Sequence, residues 1–229
     1  MTTDSTPRTA ARRPPASALA RALGSYPRRN PMTFGYLLLV LAGLLALGRV
    51  LPGPTADRVK IAISTNPHNL AHDPVVVLLL SPLVSATDSG WMSHLLVIGG
   101  GVGVCMAALE RRVGPLRTLA VFFLGNTVAT AVATSVAAAA IHSGRYPPTW
   151  WNGYDYGISY GVLTIAAAVA PLLPTRARAP WIALVFAYPF VSAQWFGTLP
   201  NFATIGHVTA AVFGLAAGYV AVRSSAAAV

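Results

Sequence analysis

Ser159 and His207 are the two residues of this chain whose types and positions suit a joint chemical task. The serine sits in Gly157-Ile158-Ser159-Tyr160-Gly161, at the start of one apolar run, and the histidine in Ile205-Gly206-His207-Val208, near the start of another. Hydrocarbon penalises hydrogen-bonding and ionisable side chains, so polar groups held within it are site residues by default. A hydroxyl and an imidazole entering a membrane from one face are a nucleophile and its general base. His94, near the start of a third apolar run, adds a hydrogen-bond donor.

Composition identifies the elements that must hold these groups. Of 229 residues 55% are hydrophobic and 10% charged, against about 25% charged in a soluble domain. The deficit begins after residue 31, where apolar stretches recur at roughly the 20 residues needed to cross a bilayer. The reading is an all-α, polytopic membrane protein with six spans, near 33–51, 91–109, 116–141, 157–173, 181–196 and 202–222. Between spans one and two, the run Val75 to Leu80 is bracketed by Pro74 and Pro82. It is too short to span, which predicts an interfacial or re-entrant piece. Residues 1–30, rich in Arg, Ala, Ser, Thr and Pro, read as a disordered basic cytoplasmic tail. Residues 31–223 form the membrane domain and 224–229 a short second tail. The first apolar run serves as an uncleaved membrane signal.

The net charge of +10 falls into clusters: Arg8, Arg12, Arg13, Arg21, Arg28 and Arg29, then Arg111, Arg112 and Arg117, then Arg176 and Arg178, and finally Arg223. Positive residues collect on the cytoplasmic side, and six spans with both termini inside bring these clusters together there. The charge therefore signals topology and attraction to membrane lipid, and nucleic acid is excluded as a partner. Cys105 stands alone, so a disulfide framework is unavailable, and it reads as a packing residue. His68, His72 and Asp73 lack metal-ligand spacing, so neither a metal nor a cofactor is expected.

In this topology His94, Ser159 and His207 lie at depths differing by only about 5 Å, at 1.5 Å of rise per residue. Gly214, Gly218 and Ala210 on span six, with Gly157 and Gly161 on span four, predict a close approach of those two helices. Asp155 is expected to cap the serine helix, Glu110 to form a helix-end ion pair, and Asn126 to bond between helices. The pentapeptide also matches the nucleophile elbow of soluble hydrolases. That motif needs a strand, a turn and a helix, whereas here a polar loop runs directly into an Ala- and Val-rich span.

Together these residues resemble the rhomboid family of intramembrane serine proteases: Gly157-Ile158-Ser159 on the fourth span, His207 followed by Gly214 on the sixth, and His94 with Glu110-Arg111-Arg112-Val113-Gly114 on the second. The resemblance covers about residues 33–222. It implies a six-helix bundle in the cell membrane that hydrolyses peptide bonds of transmembrane substrates near the outer leaflet. It also implies that Ser159 and His207 are the catalytic dyad and that His94 and Gly157 lie on the oxyanion and substrate side. Several positions differ from the family pattern: Ala210 stands in place of a glycine, and Leu80-Ser81-Pro82 lacks the usual outer-loop arginine. Of most consequence for activity, Ile98 stands where an asparagine helps bind the oxyanion, and Tyr160 replaces the glycine after the nucleophile. The alternative implied by those two is a catalytically silent relative that binds or escorts transmembrane clients.

Overall fold

The computed structural model describes residues 15–85, 90–191 and 193–226. Among the described residues four helical rods are long and apolar enough to cross a membrane: Pro31–Val50, Trp91–Val113, Pro115–His142 and Phe202–Ser225. Two shorter apolar helices accompany them, Pro74–Leu83 and Ser159–Leu172. The rods display Leu39, Val104, Leu124, Val212 and Val220 on their outer faces, each more than half exposed. Water would penalise so continuous an apolar surface, and lipid would not. The chain is a membrane protein.

Helix α1 (Pro15–Arg29) occupies the second half of the segment expected to be a disordered tail, the first half of which lies outside the described residues. Its Tyr26 hydroxyl donates to the Gly103 carbonyl at 2.6 Å, so the helix gains tertiary support that composition does not reveal. Helix α2 (Pro31–Leu45) continues in wider π turns through Ala46–Val50. Its first amides lack an intrahelical acceptor. Glu110, 4% exposed, supplies one from another helix, accepting from the Met32 and Thr33 N–H groups at 3.0 and 2.9 Å. Glu110 is thus an N-terminal cap in trans, which corrects the expected helix-end ion pair.

The segment after α2 folds as α3 (Gly53–Ile63), α4 (Pro67–His72), α5 (Pro74–Leu80) and a 3₁₀ turn, Ser81–Leu83. The Pro-bracketed run, expected only to be too short to span, forms the short helix α5. The second long rod comprises α6 (Trp91–His94), a π-wound stretch Leu95–Met106 and α7 (Ala107–Val113). Gly99, Gly100, Gly101 and Gly103 populate that stretch, and glycine is a weak helix former. Gly114, at φ 89°, turns the chain into α8 (Pro115–His142).

Helix α9 (Ser159–Ala168) is the centre of the bundle, and every residue from Tyr160 to Ala168 is buried. Its neighbours carry glycine where α9 projects: Gly101 against Val162, Gly125 of α8 against Thr164, and Gly214 and Gly218 against the Thr164 and Ala168 backbone. A Cβ at any of these would overlap α9. The last two lie on α11 (Phe202–Ala226), so the close α9–α11 contact is present as expected. Gly161, however, makes room for Phe122 of α8, not for α11.

Helix α10 (Thr175–Ala187) starts earlier than the expected fifth span and gives way to a 3₁₀ turn, Tyr188–Phe190. Trp195–Phe196 (β1) and Leu199–Pro200 (β2) then pair antiparallel around Gly197, at φ 64°, so the expected span does not reach residue 196 as helix. The long apolar rods bear out the helical reading. The two-residue strands of the β-hairpin are a local feature of an all-α fold.

Candidate functional site

The chain enters α9 through Gly157, whose φ of 126° suits glycine, and whose N–H donates to Ser81 Oγ at 3.3 Å. The amide expected on the oxyanion side is therefore engaged with the outer segment. Ile158 occupies the cap position without a side-chain bond, so Asp155 does not cap α9. Its carboxylate instead accepts from the Tyr160 and Thr65 hydroxyls, both at 2.9 Å. Thr65 also donates from its N–H and Oγ1 to the Asp155 carbonyl at 2.5 and 2.6 Å. Asn66 Nδ2 reaches the Gly153 carbonyl at 2.9 Å. The segment before α4 is thereby fastened to the start of the serine helix. Lost hydration pushes the Asp155 carboxyl up from 3.8 to about 6, against the two hydroxyl bonds that favour its charged form.

Ser159 lines a cavity of about 370 Å³. Leu96, Gly100 and Gly101 of the π-wound stretch, Val162 of α9, and Trp181 and Tyr188 make up much of the rest of its wall. The Trp181 indole N–H is satisfied by the Ala166 carbonyl at 2.7 Å, which leaves the tryptophan as an apolar wall. The chamber suits hydrocarbon, with Ser159 among its lining residues.

His207 approaches α9 from α11. Its ring meets the Tyr160 ring edge-on, with centroids 4.9 Å apart. Gly206 permits this, since a Cβ there would fall 2.5 Å from Tyr160 Cζ. The imidazole bonds to the backbone of Ala203, while Nε2 is buried and has no hydrogen-bond partner. His207 therefore packs against the residue that follows Ser159 in α9. Nε2 does not bond to Ser159 in this structure.

His94 bonds through Nδ1 to the Gly90 carbonyl at 3.2 Å, and its Nε2 is also buried without a partner. One turn on, Ile98 is 8% exposed within the apolar core, so that position offers no donor. Asn126 is 1% exposed with Nδ2 unpaired, which corrects the expected interhelical bond. Cys105 is buried among core residues, as a packing residue should be.

The residues missing from the sequence reading are Thr65 and the phenol of Tyr160. Asn66-Pro67 carried a usable signal, since Asn66 caps α4 by accepting from the Asn69 N–H at 2.8 Å. Nothing in the sequence pointed from Thr65 to Asp155.

A family model described as rhomboid-like protein matches residues 25–228. No curated protein and no solved structure matches the chain.

Proposed function

The chain belongs to the rhomboid-like protein family, and from that premise we propose that it is an intramembrane serine peptidase acting on transmembrane substrates through Ser159 and His207. The observation that carries this reading is the buried, unpartnered Nε2 of His207, whose ring lies against the residue next to Ser159. An unsatisfied buried nitrogen costs about 1–3 kcal/mol, and such a group calls for a reason, catalysis among them. The hydroxyl proposed to engage it is that of Ser159. Hydrogen bonds of this kind often tighten only when substrate binds.

In the proposed reaction Ser159 Oγ forms a bond to the scissile carbonyl carbon as its proton passes to His207 Nε2. That proton then leaves with the departing amine, and water hydrolyses the ester by the same route. The Ser159 N–H is a donor for the oxyanion, and His94 joins it as the imidazolium, since its Nδ1–H is already held by the Gly90 carbonyl and a neutral ring leaves Nε2 only a lone pair. Gly157, its amide held by Ser81, sets the turn that aims them. Ile98 removes one further donor, a loss of about 10²–10³ in rate. The cavity beside Ser159 takes an apolar side chain of the substrate. The distribution of arginines supports six crossings in the cell membrane, both termini cytoplasmic and the site toward the outer leaflet. On that reading the apolar helix Ser159–Leu172, about 21 Å long at 1.5 Å per residue, crosses as a short central span.

A second reading is favoured by a specific observation. The Tyr160 ring lies against His207, and Ile98 is buried where a donor would be needed. These suit a silent member that holds clients in the same cavity. Wild-type protein in lipid vesicles, given tagged single-span reporters, separates the two. Cleavage by wild type and none by Ser159→Ala is the expected result. Reporter retained uncut by both proteins supports the silent reading, and equal cleavage by both contradicts the dyad.

A further inference from the structure

At the end of α9 remote from Ser159, a cavity of about 550 Å³ opens between α7, the turn Ala170–Leu172 and α11. Arg111 and Arg112 line it together with Ala108, Pro171, Leu172 and Val222. We propose that it binds the phosphate headgroup of an anionic phospholipid, with the two guanidinium groups on the phosphate and the apolar residues against the glycerol and first acyl methylenes. This inference is independent of any chemistry at Ser159.

Charge balance is the main argument. After Asp88 the sequence has two acids, Glu110 and Asp155. Asp155 lies at the opposite end of α9, and both Glu110 oxygens are committed to the Met32 and Thr33 amides. Among the described residues neither Arg111 nor Arg112 has a carboxylate partner. Arg111 Nη1 donates to Asn30 Oδ1 at 2.8 Å, which fixes its side chain at the cavity without neutralising it. Arg178 adds charge beside the wall: Nη2 donates to the Pro171 and Leu173 carbonyls at 3.2 Å, and its Nε is buried without a partner. Guanidinium groups match phosphate through paired N–H donors. Basic pockets between membrane helices are the usual seats of anionic headgroups.

The remaining wall distinguishes lipid from free phosphate. Ala108, Pro171, Leu172 and Val222 offer an inorganic ion nothing, whereas a glycerol backbone and its chains bury apolar area against them.

The test uses the full chain in neutral detergent, titrated with short-chain phosphatidylglycerol, short-chain phosphatidylcholine or inorganic phosphate, and followed by melting temperature. Ligands that bind the folded state raise it in proportion to occupancy. Phosphatidylglycerol should stabilise the protein at concentrations where the other two do not, and added salt should weaken the effect. Arg112→Gln should weaken the apparent affinity about five-fold, and Arg111→Gln with Arg112→Gln about 25-fold. Arg145→Gln, in a different loop, should change nothing. Since Arg111 also holds Asn30, Arg112→Gln alone decides if the double variant does not fold. Equal stabilisation by phosphatidylcholine, equal stabilisation by inorganic phosphate, or an unchanged Arg112→Gln would each overturn the proposal.

Discussion

Tyr160 governs the site at the scale of single residues. Its phenol bonds Asp155 and its ring faces His207, so one side chain couples the outer segment to the imidazole. Tyr160→Phe keeps the ring and removes one hydrogen bond, which should lower stability by about 0.5–1.5 kcal/mol in denaturation of the detergent-solubilised protein. Asp155 should give a pH dependence. Its carboxyl is raised to about 6 in the folded state from 3.8, so the folded chain binds the proton more tightly than the unfolded chain. The stabilisation is complete below about 4 and is lost as pH rises to about 6. Melting temperature should fall across that window in wild type and stay flat in Asp155→Asn. The polar residues at this site were legible in the sequence, because serine and histidine are conspicuous in apolar runs. Which of them touch was not legible. Consecutive helical residues point about 100° apart, and that phase placed Tyr160, rather than Ser159, against His207.

At the scale of elements, the account depends on how closely α9 and α11 approach. Gly214 and Gly218 leave no room for a Cβ over the Thr164 and Ala168 backbone, whereas Gly35 of α2 has nothing within 4 Å. Gly214→Ala should therefore cost about 1–3 kcal/mol. Gly35→Ala should be neutral or stabilising by about 0.5–1 kcal/mol. Equal effects of the two in thermal denaturation would contradict the packing described. The long rods were readable because their apolar stretches match the bilayer and their glycine faces mark contacts. Two helices were not. Helix α1 has the Ala, Ser, Arg and Pro composition of a tail, and a long-range bond, from Tyr26 to Gly103, helps to secure it. Helix α10 begins at Thr175 among arginines, where charge suggests a loop, and its apolar continuation breaks at Tyr188. Trp195–Phe196 then reads as hydrophobic span, although the turn at Gly197 turns it into a hairpin.

For the whole molecule, the cavity of Arg111 and Arg112 at one end of α9 and Ser159 at the other give the bundle a polarity. Both termini and the Arg111 to Arg117 loop are proposed to be cytoplasmic, and the Arg145 loop external. In a Cys105→Ala background, a cysteine placed at Arg145 should react with a membrane-impermeant maleimide on intact cells. One placed at Arg117 should react only after lysis. The reverse pattern would invert the proposed orientation and move the site to the inner leaflet.

The central claim is that Ser159 is a nucleophile activated by His207. Its most direct test is reaction of the purified, detergent-solubilised protein with a fluorophosphonate probe, with the adduct mapped by mass spectrometry. The account predicts an adduct on Ser159 that disappears in His207→Ala as well as in Ser159→Ala. A folded wild-type protein that stays unlabelled from neutral to alkaline pH, or one labelled equally well without His207, would contradict it.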